Sequence, residues 1–251
     1  MTELAETMSP PAPLDAPLTE TQRVIDTFVA PTKTFIDLRR KATFWGPLII
    51  MILVGIGYGF SVQQKIGWTQ VFENNIRQTP AKAEQIDSNP RAESIKAVSA
   101  KITAGATYGY FGIALFFTLI IALLNWATVN FGFGGTAKYS QIYAVSMYAS
   151  LVMNIKYLLA IIAIFAGLAP DSFLISNPVG TNIGYYLSTD FPLWLRTLCT
   201  HIDIFEIWSV VLSVIGVSIV AKVSRGKAAA VVVGWWLIIV LVTVGIAAAQ
   251  S

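Results

Sequence analysis

The stretch Asp203–Ala230, DIFEIWSVVLSVIGVSIVAKVSRGKAAA, constrains this chain more than any other. It opens on Asp203 and Glu206, runs without charge from Ile207 to Ala221, and closes on Lys222, Arg225 and Lys227. A second uncharged run follows, as far as Ser251. Two apolar runs around a basic turn predict a helical hairpin in a membrane. As helix, Ile207–Ala221 covers only about 22 Å, against roughly 30 Å of hydrocarbon core. Lys222 can snorkel at one end. At the other end the helix has to begin near Leu198, which puts Glu206 below the interface. A bare carboxylate is costly there, so Glu206 needs a partner or a proton.

The rest of the chain reads the same way. It is 55% hydrophobic and 12% charged, about half the charge of a soluble domain. The class is an all-α membrane protein: a five-transmembrane-helix bundle preceded by amphipathic interfacial helices. The expected spans are about 44–62, 107–129, 140–167, 198–221 and 228–248, within a membrane domain at 21–251. Residues 1–20 hold four prolines and read as a disordered cytoplasmic tail. The first forty residues contain no apolar core segment, so no cleavable signal peptide is expected. From Thr21 to Arg40, apolar Val24, Phe28, Phe35 and Leu38 alternate with charges, and Pro31 splits the run. Two short helices lying on the membrane, apolar side in lipid, are predicted.

Basic residues set the expected orientation. Lys33, Arg39, Arg40 and Lys41 precede span one, and Lys222, Arg225 and Lys227 separate spans four and five. With Lys138 between spans two and three, they would share the cytoplasmic side. That puts the N-terminus inside the cell and the C-terminus outside. The segment Gln63–Thr103 would then be external and largely helical, with a break at Pro90.

Few residues suggest chemistry. One cysteine (Cys199) excludes an intramolecular disulfide, and one histidine (His201) leaves little for a metal site. Both read as packing or headgroup contacts. The loop NFGFGGTAK lacks the lysine-serine ending of a phosphate-binding loop. No nucleophile or metal motif is present, so neither enzyme activity nor a cofactor is expected. Lys156 and Asn154 lie inside span three. Lys156 and Glu206 are expected to pair between spans three and four. Asp203, Glu206, Ser209, Ser213 and Gly216 recur at three- and four-residue steps, a polar, thin stripe facing the bundle.

Two stretches resemble a known family. VIDTFVAPTKTFIDLRR followed by WGPLII is similar to the opening of bacterial Yip-domain (Ypt-interacting protein) membrane proteins. LRTLCTHIDIFEIWSVVLSVIGVSIVAKVSRGKAAAVVVGWW resembles their best-preserved segment, from an acid-Phe and Ile-Trp run to a basic turn ending in Lys-Ala. The resemblance covers about Val24–Ala248. It implies five spans, a bacterial inner-membrane location and no catalytic residue. Through the family's eukaryotic members it also implies association with prenylated Rab-type GTPases and membrane shaping. The expected role is therefore non-enzymatic: membrane organisation or partner binding, with the lipid bilayer, another membrane protein or a second copy as partner and no nucleic acid. The other reading is a small transporter or channel with its site around Lys156 and Glu206. A wet cavity reaching those residues would favour it.

Overall fold

The computed structural model describes residues 16–250, which fold entirely into helices and connecting turns. Most of the expected N-terminal tail lies outside the described residues. Two short helices come first, α1 (Glu20–Val29) and α2 (Pro31–Arg40). Thr19 and Gln22 cap α1 reciprocally, and Pro31 opens α2 at a position where no backbone N–H is needed. The first span is α3 (Trp45–Lys65), followed by α4 (Trp68–Arg77) and α5 (Pro80–Asp87). The long α6 (Ala92–Ala127) ends in a π-helical turn, Thr128–Gly132. Then come α7 (Tyr139–Ala149), α8 (Leu151–Phe165), α9 (Leu193–Thr200), α10 (Ile204–Ala221) and α11 (Arg225–Ala248).

Five stretches are long and apolar enough to cross a membrane: Trp45–Lys65, Gly112–Gly132, Tyr139–Phe165, Ile204–Ala221 and Arg225–Ala248. The second lies a few residues later in the chain than expected, in the C-terminal, more apolar part of the long α6 and its π turn. The segment Gln63–Thr103 does break near Pro90, between α5 and α6. The third span is interrupted at Ser150, whose hydroxyl turns back onto the Met147 carbonyl. A serine bonding back in this way competes with the helical ladder.

The middle of the bundle is α7. Ile142, Ala144, Val145, Met147, Tyr148 and Ala149 are fully buried among α2, α6 and α10. Lipid tails are as apolar as these side chains, so close packing rather than water expulsion holds such helices together. Gly216 on α10 allows the approach. A Cβ there would meet Val145 Cγ1 at 2.4 Å and Phe35 Cδ1 at 3.1 Å. The turn between α10 and α11 is built by two caps. Lys222 takes a left-handed conformation (φ 56°), and the Ser224 hydroxyl accepts from the Lys227 N–H.

The N-terminal helices differ from expectation. Their apolar stripe faces protein rather than lipid: Phe35 and Leu38 are fully buried against the bundle, while Ile25, Val29 and Ile36 stay exposed. The cause is a buried polar clasp. Arg23, 2% exposed, donates through Nε to Asp37 Oδ2 at 2.7 Å and through Nη1 to Glu20 at 3.0 Å. Glu20 also accepts from the Tyr148 hydroxyl at 2.6 Å, the Gly46 N–H at 3.2 Å and the Thr43 hydroxyl. Burial alone would raise the Glu20 pKa. The hydrogen bonds from Thr43, Tyr148 and Gly46 and the Arg23 charge hold it below the ordinary value. The hairpin is thereby fastened to α3 and α7.

The basic clusters gather at one end of the bundle. Gln141 donates to the Arg39 carbonyl at 2.7 Å, Lys227 Nζ reaches the Phe133 carbonyl at 3.3 Å, and the Thr136 N–H donates to Ala221 at 3.1 Å. Lys33 pairs with Asp26. Arg39, Arg40, Lys41, Lys222 and Arg225 are exposed at that end. The C-terminal residues lie at the other end, where Lys82 reaches Gln250 at 3.3 Å.

Candidate intramembrane polar site

Lys156 does form an ion pair, but with Asp203 rather than Glu206. Its Nζ lies 2.8 Å from Asp203 Oδ2, with the two side chains 11% and 1% exposed. The expected pairing fails because of where the fourth span begins. It starts at Ile204, not near Leu198, since α9 ends in a turn before it. Asp203 is therefore the N-cap, and its Oδ1 accepts from the backbone N–H groups of Phe205 (2.9 Å) and Glu206 (3.3 Å). An Asp within the helix could not make these bonds. The stripe accordingly loses its first member as a helical residue. The sequence carries a signal for this boundary: Asp203 followed three residues later by Glu206, ahead of an apolar run.

The rest of the Asp203 carboxylate is also occupied. Oδ2 accepts from the Thr181 hydroxyl at 2.6 Å and from Asn182 Nδ2 at 3.3 Å. Asn182 is held by Asn177 through reciprocal amide contacts of 2.7 and 3.2 Å. The network thus ties α8, the connection before α9 and the head of α10 together. Burial would raise the Asp203 pKa. Hydrogen bonds from Lys156 and Thr181, the Lys156 charge and the Phe205 N–H hold it below the usual value.

Glu206 is neutralised elsewhere. Its Oε1 lies 2.9 Å from His201 Nδ1 and accepts from Trp236 Nε1 at 2.6 Å. His201 Nε2 is 3.0 Å from the Thr243 hydroxyl oxygen, which itself donates to the Val240 carbonyl. Nε2 must therefore be the donor in that contact. The Nδ1–Oε1 contact then holds one proton, either on the imidazole as an ion pair or on the carboxyl as a neutral pair. His201, read from sequence as packing, is the partner that Glu206 required. Cys199, two residues away, is a free thiol.

Asn154 lies elsewhere, on the wall of a cavity of about 520 Å³ between α6, α8, α10 and α11. Ser146, Ser150, Ser209, Ser213, Thr118 and Asn125 supply the other small polar groups of that wall. Asp203, Glu206 and Lys156 do not line it, and among the described residues no Asp, Glu, Lys or Arg does. The periodicity of Ser146, Ser150 and Asn154 at four-residue steps was readable. Asn125 stands alone in an apolar run and gives no such signal.

This architecture, five apolar spans behind an N-terminal hairpin and joined by a basic turn, has a counterpart among known proteins. The Yip1 domain pattern matches residues 25–246. The chain belongs to the Yip1-domain family. It is also similar to the membrane protein YknW of Bacillus subtilis (strain 168), at 27% identity over 213 residues, 82% of each chain. No solved structure matches it. Yip1-domain proteins are multi-pass and generally non-enzymatic membrane proteins. The matched segment includes the clasp residues Asp37 and Tyr148 as well as Lys156, Asp203, His201 and Glu206, whereas Glu20 and Arg23 precede it.

Proposed function

We propose that this chain is a non-enzymatic scaffold of the bilayer, acting by association with lipid and with membrane-protein partners rather than by moving a charged solute. One observation supports this most. The ionisable side chains in and just ahead of the third and fourth spans are closed on one another: Lys156 on Asp203, and His201 on Glu206. A transport site for an ion or charged solute needs such groups open to a path. Here the cavity runs past them without contact. In this reading the ion pair holds helices in register, and the basic end with the α1–α2 hairpin lies on the cytoplasmic side, facing anionic headgroups.

The test is flux. Proteoliposomes containing the full chain should leak protons, K⁺ and small polar solutes no faster than protein-free liposomes. In native membranes, crosslinkers placed at exposed Ile25 or Val29 should trap a discrete adduct with a membrane protein or a second copy. Protein-dependent flux that is abolished by Lys156→Met would replace the scaffold with a transporter.

A further inference from the structure

We infer that the cavity between α6, α8, α10 and α11 is a binding site for a neutral, hydroxyl-bearing amphiphile drawn from the bilayer. The inference does not depend on the scaffold reading. The first observation is an unmet polar group: Asn125 is only 5% exposed, lines the cavity, and its Oδ1 has no hydrogen-bond partner. An orphaned amide oxygen inside hydrocarbon is costly, and most such groups are satisfied.

The second observation is the character of the wall. Three of its hydroxyl protons are already spent. Ser146 donates to Ile142, Ser150 to Met147 and Thr118 to Ala114. The Asn154 amide N–H groups point back to Ser150 and Leu151. Both indoles on the wall are committed outward, Trp235 to Thr128 and Trp236 to Glu206. These groups keep oxygen lone pairs while their protons are committed, and the hydroxyls of Ser209 and Ser213 line the cavity beside them. The complementary ligand donates a hydrogen bond. It is uncharged, because among the described residues no ionised side chain lines the site to balance it.

The third observation gives the route. Ile113, Phe117 and Ile239 on the rim are 48%, 58% and 37% exposed. The cavity therefore opens sideways between α6 and α11, where an apolar chain can lie while its hydroxyl reaches inward. Its volume of about 520 Å³ falls within the roughly 300–1,000 Å³ of small-molecule sites.

The experiment uses the full chain in phosphatidylcholine nanodiscs and a photoactivatable hexadecanol carrying a mid-chain diazirine. Labelled residues are mapped by peptide mass spectrometry. Labelling should saturate on the cavity faces of α6 and α11. Unlabelled hexadecanol should compete, and its methyl ether, which cannot donate, should not. Asn125→Leu should reduce cavity labelling about tenfold, the worth of one buried hydrogen bond. Outward residues of α3 such as Leu53 should label unchanged, as the reference for fold and for annular lipid. Ser213→Leu, which fills the cavity from α10, is the second arm should Asn125→Leu not fold, and should produce the same loss. Equal competition by the ether, or cavity labelling undiminished in a folded variant, would show annular lipid only and overturn the inference.

Discussion

The Lys156–Asp203 pair permits a quantitative test of how this bundle is held. Lys156→Met leaves a carboxylate, 1% exposed, with four neutral donors from Thr181, Asn182, Phe205 and Glu206. Stripping one partner from a buried pair costs about 3–5 kcal/mol, and these donors place the loss near the lower bound, about 3 kcal/mol. Asp203→Asn keeps the helix cap, since Asn caps as well as Asp, but strands a buried ammonium. Its cost should be about 3–4 kcal/mol. The double variant removes both charges and should cost little more than either single change. The resulting coupling should be about 3 kcal/mol, at the top of the range for groups in contact. SDS titration of the full chain in mixed micelles, followed by tryptophan fluorescence, measures all four states. Lys156→Met with Glu206→Gln is the control cycle and should be additive within about 0.5 kcal/mol. Additivity for Lys156 with Asp203, or strong coupling of Lys156 with Glu206, would refute the assignment.

Other perturbations bear on separate parts of the fold. Gly216→Val would drive its side chain into Val145 and Phe35 and should destabilise by about 1–3 kcal/mol through overpacking, read as a lower midpoint in the same titration. Lys222→Gly relieves a left-handed non-glycine residue and should stabilise by about 1 kcal/mol, whereas Lys222→Val should destabilise. The carboxyls of Glu20 and Asp203 sit below their ordinary pKa in the folded chain. Their contribution is complete above the unfolded values of about 4.3 and 3.9 and is lost as pH falls through the lower folded ones. Thermal midpoints should therefore begin to drop as pH falls below about 4.3, and Asp203→Asn should flatten part of that drop. Tyr148→Phe removes one hydrogen bond to Glu20 and should expose α1 to limited proteolysis before any span is cut.

The spans and the hairpin at Lys222–Lys227 were legible because hydrophobic length and basic turns act locally. Pro31 also announced its own break. What the sequence hid was direction. Phe35 and Leu38 form an apolar stripe that lipid or a protein groove would accept equally, and Gly216, which opens the groove, lies far away in the chain. The same limit misplaced the ion pair. Depth along a helix was estimated from apolar run length, but the Asp203 cap moved the start of α10 to Ile204. One turn of helix then separated the expected partner from the actual one. Asn125 shows the limit most plainly, since a single amide in a greasy run says nothing about whether a neighbour will meet it.

The two polar ends of the bundle do different mechanical work. At the basic end, the Arg23 clasp holds a short hairpin against α7 through side chains contributed from Glu20 to Tyr148. At the opposite end, Asp203 joins α8 and α10 through a connection that would otherwise have no sheet or long helix to order it. Between them α7 and α10 pack closely through Gly216, while the cavity stays open at the side between α6 and α11. Rocking to alternate access would break one buried charge network, and that cost is what the scaffold reading sets against transport. Among the described residues, the π turn that ends α6 is joined to α11 by the Trp235–Thr128 bond and by Lys227 on the Phe133 carbonyl, and the head of α6 is held to α4 by the Lys96–Glu73 ion pair. Entry through the exposed rim between α6 and α11 would admit a lipid-like molecule without breaking those ties.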